Sequence, residues 1–462
     1  MRRLRTRQAL AALIALTMAA SAAGAQDSLP LAFPFTPKTQ PKLDSDVRVR
    51  WLQSNAVRVR SIDPTVDDFS DLEPLRRAIG QASVVMLGEG SHGDGATFLA
   101  KTRLIKFLHE RMDFDLLVFE SGIFDVAKAW QMIRQNEDAR VAFGRSVFFL
   151  ADLKEGLPLI EYVGARAKTS RPLEIAGMDP QLTGTASREF LAVDLAMYLT
   201  RVGAPTTALD VGGVLRGGID SMSTIAAGRR VAPEPAFLDT LSAVTRAVRL
   251  KASGRDVDAA FWLRVLDGLR SEAYHWRQAA VAATPAERRY AGERSFLGRD
   301  AQQGQNIIWH ALGRGNPRKV IVWSHIAHAE YRDPTPTVQP WERHWRSAGT
   351  VAREILGEQV YVIGFTAYAG ISHNPVMGNP KGWPVRVPIK QTADAVEFED
   401  LMHATGWPFG FVDFRRPSPG GEWLREPMWA RPLNTPILAK WAEAVDGLVY
   451  LQQMTPLTKA PQ

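Results

Sequence analysis

Residues 84–120 of the chain read VVMLGEGSHGDGATFLAKTRLIKFLHERMDFDLLVFE. The apolar run at 84–87 predicts a buried strand, and the apolar side chains at 104–112 recur at helical spacing. A second apolar run at 116–119 predicts another strand. Because a strand, a helix and a strand that follow one another in this way form a right-handed parallel crossover, the stretch predicts an α/β fold.

The rest of the chain extends this pattern. Four later runs predict further strands, at 173–177, 319–323, 360–365 and 447–451. Residues 186–312 show helical periodicity without strand signals, so we expect a parallel-sheet α/β/α core with a helical insertion. The predicted divisions are a signal peptide (1–25), an extended leader (26–60), the first part of the α/β core (61–185), the helical insertion (186–312) and the second part of the core with long cleft loops (313–462).

The first 25 residues have the form of an export signal. A basic start is followed by an apolar run at 9–20 and by Ala23, Gly24 and Ala25, which predicts cleavage before Gln26 and a periplasmic or secreted product. No later stretch approaches the roughly 18 uncharged residues that a transmembrane helix needs, so we expect no membrane span. The chain has no cysteine and therefore no disulfide.

Composition excludes several classes of protein. The 462 residues are 45% hydrophobic and 23% charged, which is typical of a globular chain and not of a disordered or fibrous one. The formal charge of +7 includes four arginines within the first seven residues. Since no dense stripe of Lys and Arg follows, we expect no nucleic-acid partner.

The segment 88–93, GEGSHG, lies between the first core strand and its helix. It satisfies the dinucleotide pattern G-x-G-x-x-G, but Glu89 would place a carboxylate where a pyrophosphate should bind. A serine nucleophile needs G-x-S-x-G, and Ser91 has Glu89 instead of glycine two residues before it. We therefore interpret Ser91 as a helix-capping hydroxyl.

Five residues near the ends of core strands are the candidate catalytic group: Glu89, His92, Glu120, His325 and His328. Parallel strands bring their carboxyl ends to one edge of a sheet, so these side chains are expected to meet there. A histidine held by a carboxylate is a competent general base, able to take a proton from water as it attacks a carbonyl. The same residue types also permit a metal ion, although no H-E-x-x-H motif is present.

The segments 84–108 and 114–120 resemble the opening of the erythromycin esterase family, a strand, a G-E-x-x-H-G loop, a basic helix and a strand ending in Glu. The segments IAGMD at 175–179 and VWSHIAH at 322–328 resemble the later strand ends of this family. The resemblance runs from about residue 72 to residue 451 and implies an α/β core with a deep cleft. It also implies hydrolysis of a small-molecule substrate, a macrolactone ester, by histidine-activated water and without a covalent intermediate. We expect no cofactor.

The resemblance assigns function to individual positions. It matches the five candidate catalytic residues to functional positions of the family. Lys101 stands where the family usually has a basic Arg, and Asp94 lies close to the position of a loop acid, so both are candidate substrate contacts. Apart from the resemblance, His344 is a third candidate substrate contact, because it lies in the predicted loop at 331–345 near the cleft.

Two other functional classes are kept as alternatives. A protein of related fold could use the histidines to bind haem or a metal ion, or the chain could be a metal-dependent hydrolase. A visible absorption spectrum and a metal analysis distinguish these alternatives from a metal-independent esterase.

Overall fold

The computed structural model describes residues 43–147, 150–204, 213–223, 233–251, 256–313, 316–331, 345–374, 385–392 and 395–461. The predicted signal peptide and the candidate contact His344 lie outside these ranges.

Helices and strands alternate at both ends of the described chain and enclose a helical middle. The first part holds α1 (Val47–Asn55), β1 (Val57–Val59), α2 (Glu73–Ile79), β2 (Val84–Glu89), α3 (Gly95–Met112), β3 (Leu116–Gly122), α4 (Ile123–Arg134), α5 (Ala139–Ser146), α6 (Leu157–Arg166) and β4 (Glu174–Asp179). The middle holds a π-helical turn (Ser187–Leu191), α7 (Ala192–Arg201), α8 (Gly213–Ser223), α9 (Pro235–Lys251), α10 (Val257–Val281) and α11 (Pro285–Leu312). The last part holds β5 (Val320–His325), α12 (Ile326–Ala329), α13 (Ala348–Leu356), β6 (Val360–Asn374), β7 (Val385–Pro388), α14 (Phe398–Ala404), β8 (Phe409–Asp413), β9 (Met428–Ala430), β10 (Ile437–Ala439) and β11 (Gly447–Met454).

One large sheet organises the core. Its strands follow the order β1-β8-β11-β6-β2-β5-β3-β4, and β7 pairs with β6 outside this path. The six strands from β11 to β4 are parallel to their neighbours, whereas β8 is antiparallel to both β1 and β11. The predicted α/β fold with a mostly parallel sheet is confirmed. The strand predicted at 447–451 is β11, which lies inside the sheet between β6 and β8.

The sheet is buried on both faces. Along β2, Val85 and Leu87 belong to one apolar cluster while Val84 and Met86 belong to another, and all four are fully buried. Helix α3 packs in the first cluster, and α13 and α14 pack in the second. Because side chains alternate between the faces of a strand, only an uninterrupted apolar run can fill both cores, which is why the strand signals are so clear.

Residues 43–60 fold back onto the sheet, although the sequence predicts an extended leader over 26–60. The Asp46 carboxylate accepts a hydrogen bond of 2.8 Å from the backbone N–H of Arg48 and caps α1. Leu43 and Leu52 are buried in the second apolar cluster, and β1 adds an antiparallel edge to β8. The apolar side chains of this segment therefore find a core to join.

The helical middle has an apolar cluster of its own, to which α4 also contributes. Helix α11, at 28 residues, spans about 42 Å at the usual rise per residue and connects this cluster to the sheet. Near its end the Asn306 amide donates a hydrogen bond of 2.8 Å to the Met178 carbonyl, and His310 Nε2 lies 3.0 Å from the Gly177 carbonyl. Among the helices of the described ranges, none is long and apolar enough to cross a membrane.

Candidate active site

The loop after β2 is held closely against the end of β6. Gly93 forms an isolated bridge with His373, and a Cβ at Gly93 would lie 1.8 Å from the His373 carbonyl oxygen, so only glycine fits. The Ser91 hydroxyl donates to the same carbonyl at 2.8 Å and accepts from the Gly93 N–H at 3.2 Å. These contacts give Ser91 a structural role in the loop. The prediction that its hydroxyl caps the following helix is wrong, because α3 begins at Gly95 with Asp94 in the N-cap position and the Ser91 hydroxyl bonds Gly93 and His373 instead.

Glu89 is the buried anchor of this loop. Its side chain is 1% exposed, and its Oε2 pairs with the ammonium of Lys101, which also donates to the Ser324 carbonyl at 3.1 Å. Its Oε1 lies 2.9 Å from His92 Nδ1. Burial alone would raise the pKa of Glu89, but the charge of Lys101 and the hydrogen bond from His92 hold that pKa below its ordinary value.

His92 is the partly open imidazole of the group. Its side chain is 29% exposed, and because a carboxylate only accepts, Nδ1 must donate its proton to Glu89. Burial would lower the pKa of His92, but the hydrogen bond to Glu89 and the charge of Glu120 raise it. The ring centroid lies 5.5 Å from that of His325.

His325 is held as a neutral ring. Its Nε2 lies 2.9 Å from the Gly90 carbonyl and so carries the proton, while its Nδ1 accepts from the Ala327 N–H at 3.2 Å. Burial lowers the pKa of His325 to about 4, and the neighbouring charge of His92 adds to the effect. The backbone N–H of His325 donates to Glu120 Oε2 at 2.9 Å, which links β5 to the end of β3.

His328 lies between two carboxylates. Its Nε2 is 3.1 Å from Glu120 Oε1 and its Nδ1 is 2.6 Å from Asp300 Oδ1. Burial would lower the pKa of His328, but the charges of Asp300 and Glu120 raise it to about 10. Burial would likewise raise the pKa of Glu120, yet the charge of His328 holds it well below its ordinary value.

The structure thus brings together all five predicted catalytic residues and adds three more, Asp179, Arg299 and Asp300. Arg299 donates from Nε and Nη2 to the Asp179 carboxylate at 2.5 to 3.1 Å, and from Nη2 to Glu120 Oε1 at 3.2 Å. Asp179 ends β4, so the rule that locates the other strand-end residues also points to it. Arg299 and Asp300 lie within a long helix, where no local motif distinguishes them.

Two of the three candidate substrate contacts, Lys101 and Asp94, are buried inside the protein. Lys101 is fully buried beneath Glu89, with its ammonium 4.5 Å from the centroid of the Trp323 ring. Asp94 is also buried, and its carboxylate accepts from the Ser91 N–H at 2.9 Å, from Ser372 and from Asn434. Burial raises the pKa of Asp94 to about 6. Lys101 and Asp94 therefore form ion pairs and hydrogen bonds with other residues of the protein. His344 lies outside the described residues.

The same edge of the sheet holds histidine and carboxylate side chains, which are residue types that can bind a metal ion. Within the part of the chain that the structure describes, no group of three or more His, Asp or Glu side chains is arranged to hold a metal ion. The imidazole nitrogens of His325 and His328 instead contact backbone groups and carboxylates.

Comparisons with known proteins agree with the motifs. The erythromycin esterase family model matches residues 109–454. The chain is 23% identical over 431 residues to YbfO of Bacillus subtilis (strain 168), a candidate hydrolase, covering 88% of this chain and 91% of that protein. It is 21% identical over 334 residues to erythromycin esterase type II of Escherichia coli, covering 69% of this chain and 77% of that enzyme.

Solved structures share the fold. A Bacillus cereus protein is 19% identical and superimposes with a TM-score of 0.71, covering 90% of this chain and 98% of that one. A mutant erythromycin esterase in its open conformation is 16% identical with a TM-score of 0.59, covering 87% of this chain and 98% of that one. Since the family model spans three strand ends of the site and most of the chain, the protein belongs to the erythromycin esterase family.

Proposed function

We propose that the protein is a hydrolase that cleaves carboxylic esters with water activated by His92. The observation that carries the proposal is the contrast among the three imidazoles. His328 is only 9% exposed and lies between two carboxylates, and burial lowers the pKa of His325 to about 4, whereas His92 is 29% exposed and its hydrogen bond to Glu89 raises its pKa. His92 is therefore the imidazole best placed to exchange a proton with a bound water.

In the proposed reaction, His92 Nε2 takes one proton from water while the water oxygen attacks the ester carbonyl carbon. The carbonyl electron pair moves onto its oxygen, and Glu89 stabilises the imidazolium through the hydrogen bond from Nδ1. When the tetrahedral intermediate collapses, the bond to the alcohol oxygen breaks and His92 returns its proton to that oxygen. The products are a carboxylic acid and an alcohol, and no covalent enzyme intermediate forms.

Positive charge paired with Glu120, whose own charge acts on His92, supports this chemistry. Arg299 is 16% exposed, and its Nη1 makes no hydrogen bond to the described ranges of the chain. A guanidinium fixed by Asp179 and Glu120 needs little rearrangement to stabilise a developing oxyanion. We assign this electrostatic role to Arg299.

A macrolactone or a related bulky ester is the proposed substrate class. The relative from Escherichia coli is named an erythromycin esterase. Beside His328, the rings of Phe296 and Trp345 lie with centroids 5.6 Å apart and form an apolar wall that suits an aliphatic ring. The export signal predicted at 1–25 places this activity in the periplasm or outside the cell.

A panel of macrolactones and simple esters tests the proposal, with His92→Ala compared against Ser91→Ala. Loss of a general base typically costs about 10²–10⁴-fold in rate, so His92→Ala should lose at least about a hundredfold. Ser91→Ala removes the hydrogen bond to the His373 carbonyl and the one from the Gly93 N–H. Because neither takes part in the proposed reaction, this variant should keep most of the activity. An inactive serine variant beside an active histidine variant, or an acyl group trapped on Ser91, would contradict the mechanism.

A further inference from the structure

The two hydrogen bonds of His328 determine how many protons its ring carries. A neutral imidazole has one N–H, so its other nitrogen would direct a lone pair at a carboxylate oxygen. Here Nδ1 lies 2.6 Å from Asp300 Oδ1 and Nε2 lies 3.1 Å from Glu120 Oε1. Both contacts are attractive only when both nitrogens are protonated.

Asp300 is built to hold this state. Its side chain is fully buried, and its second oxygen, Oδ2, accepts a hydrogen bond of 2.6 Å from Trp345 Nε1. The indole thereby fixes the carboxylate without neutralising it. Within the described ranges, the ion pair of Asp300 is with His328, while the adjacent Arg299 is directed to Asp179 and Glu120.

We propose that Asp300 is a positioning residue that keeps His328 doubly protonated, so that His328 serves the site as a fixed positive charge and does not compete with His92 as a base. The part of this inference that concerns catalysis rests on the proposed ester hydrolysis, whereas the protonation state of His328 does not.

The charged and titratable groups around His328 are consistent with this assignment. Glu120 faces it from β3, Asp300 and Arg299 come from α11, His325 precedes it at the end of β5, and His92 lies in the loop after β2. His325 is neutral, and Arg299 pairs with Asp179 and shares Glu120 Oε1 with His328. A positive His328 also opposes the rise in the pKa of His92 that Glu120 causes, which keeps more His92 available as a base.

The direct test is the titration of His328 by NMR in the full chain, with labelled histidine imidazoles and assignment by a His328→Gln variant. In the unmodified protein the ring should stay protonated well above pH 8. Asp300→Asn removes a charge at hydrogen-bond distance, so the pKa of His328 should fall by about one to three pH units. Trp345→Phe is the matched control, because it disturbs the same contact but leaves both carboxylates and should leave His328 protonated.

The pH dependence of ester hydrolysis tests the catalytic half. If the pKa of His328 falls from about 10 by about two pH units, its protonated fraction at pH 9 falls from roughly nine-tenths to roughly one-tenth. We expect the ratio of kcat/KM of Asp300→Asn to that of the unmodified protein to be about tenfold lower at pH 9 than at pH 7.

The possible outcomes separate the claims. A His328 that titrates near its ordinary pKa in the unmodified protein overturns the inference even if Asp300→Asn does not fold. An unchanged titration in a folded Asp300→Asn variant overturns the role of Asp300, and an equal loss of kcat/KM at every pH overturns the catalytic half. If no ester in the panel is hydrolysed, the proposed function fails while the NMR titration still decides the charge of His328.

Discussion

Replacing Lys101 by methionine should lower the free energy of unfolding, and the loss should be larger at pH 8 than at pH 5. Lys101 is fully buried, and its ammonium contacts Glu89 and the Ser324 carbonyl. Methionine fills a similar volume without the charge, so the change leaves the Glu89 carboxylate, 1% exposed, with His92 as its remaining ionisable partner. Removing one partner of a buried ion pair costs about 3–5 kcal/mol of unfolding free energy.

The pH dependence follows from the pKa of Glu89. In the unmodified protein this pKa lies below 4.5, so the stabilisation from Glu89 is present above the unfolded pKa and is lost as pH falls through the folded one. Without Lys101, burial should raise the pKa of Glu89 above its unfolded value. The folded variant then binds more protons than the unfolded chain, and its stability should recover as pH falls through that raised pKa.

Urea unfolding followed by tryptophan fluorescence at pH 5 and at pH 8 measures both quantities. Lys106→Met is the matched control on the same helix, because Lys106 pairs with Asp67, whose side chain is 73% exposed. An exposed pair of this kind contributes at most about 1 kcal/mol. The reasoning is refuted if Lys101→Met loses no more stability than Lys106→Met, or if its deficit relative to the unmodified protein is larger at pH 5 than at pH 8.

Three further outcomes can be measured on the purified or exported protein. The value of kcat/KM should fall as pH drops through the raised pKa of His92, because a protonated imidazole cannot accept a proton. A value of kcat/KM that stays constant down to pH 5 would exclude His92 as the base. Dialysis against EDTA should leave ester hydrolysis largely intact, whereas activity that is abolished and then restored by one divalent ion would indicate metal-assisted hydrolysis. N-terminal mass analysis of the exported chain should find Gln26 as the first residue, and a chain that still begins at Met1 would contradict the predicted cleavage.

The candidate catalytic group can be predicted from sequence because its residues lie at the carboxyl ends of parallel strands, which meet at one edge of the sheet. Glu89 and His325 are direct neighbours in the register of β2 and β5. They are 236 positions apart in the sequence, so no local motif contains both. Buried apolar runs identify the strands, and the polar residues that follow meet at one edge. The short antiparallel strand β8 was not predicted, since it has only five residues and one of them is a glycine.

The role of Lys101 was less accessible, although a signal for its burial exists. On α3 it shares a buried stripe with Thr97, Leu104 and Leu108, at helical spacing. A lysine in such a stripe is expected to have a buried partner, and twelve residues earlier Glu89 supplies the carboxylate. A family resemblance alone suggests a substrate contact at this position, whereas the helical pattern indicates an internal ion pair.

Arg299 and Asp300 could not be identified from sequence because their directions depend on how α11 packs. Consecutive residues on a helix point about 100° apart, which allows Arg299 to reach Asp179 and Glu120 while Asp300 reaches His328. A shift of α11 by one residue along its axis would misplace both charges together.

The anchors of α11 therefore matter to the chemistry of the site. The hydrogen bonds of Asn306 and His310 to the carbonyls of Met178 and Gly177 fix the helix to β4, whose last residue is Asp179. The same contacts therefore set the position of Arg299, which pairs with Asp179, and of Asp300, which pairs with His328. Since α11 begins in the helical middle and ends at the sheet, changes in the helical middle can alter the charge balance at the strand ends without altering a residue in the loop of His92.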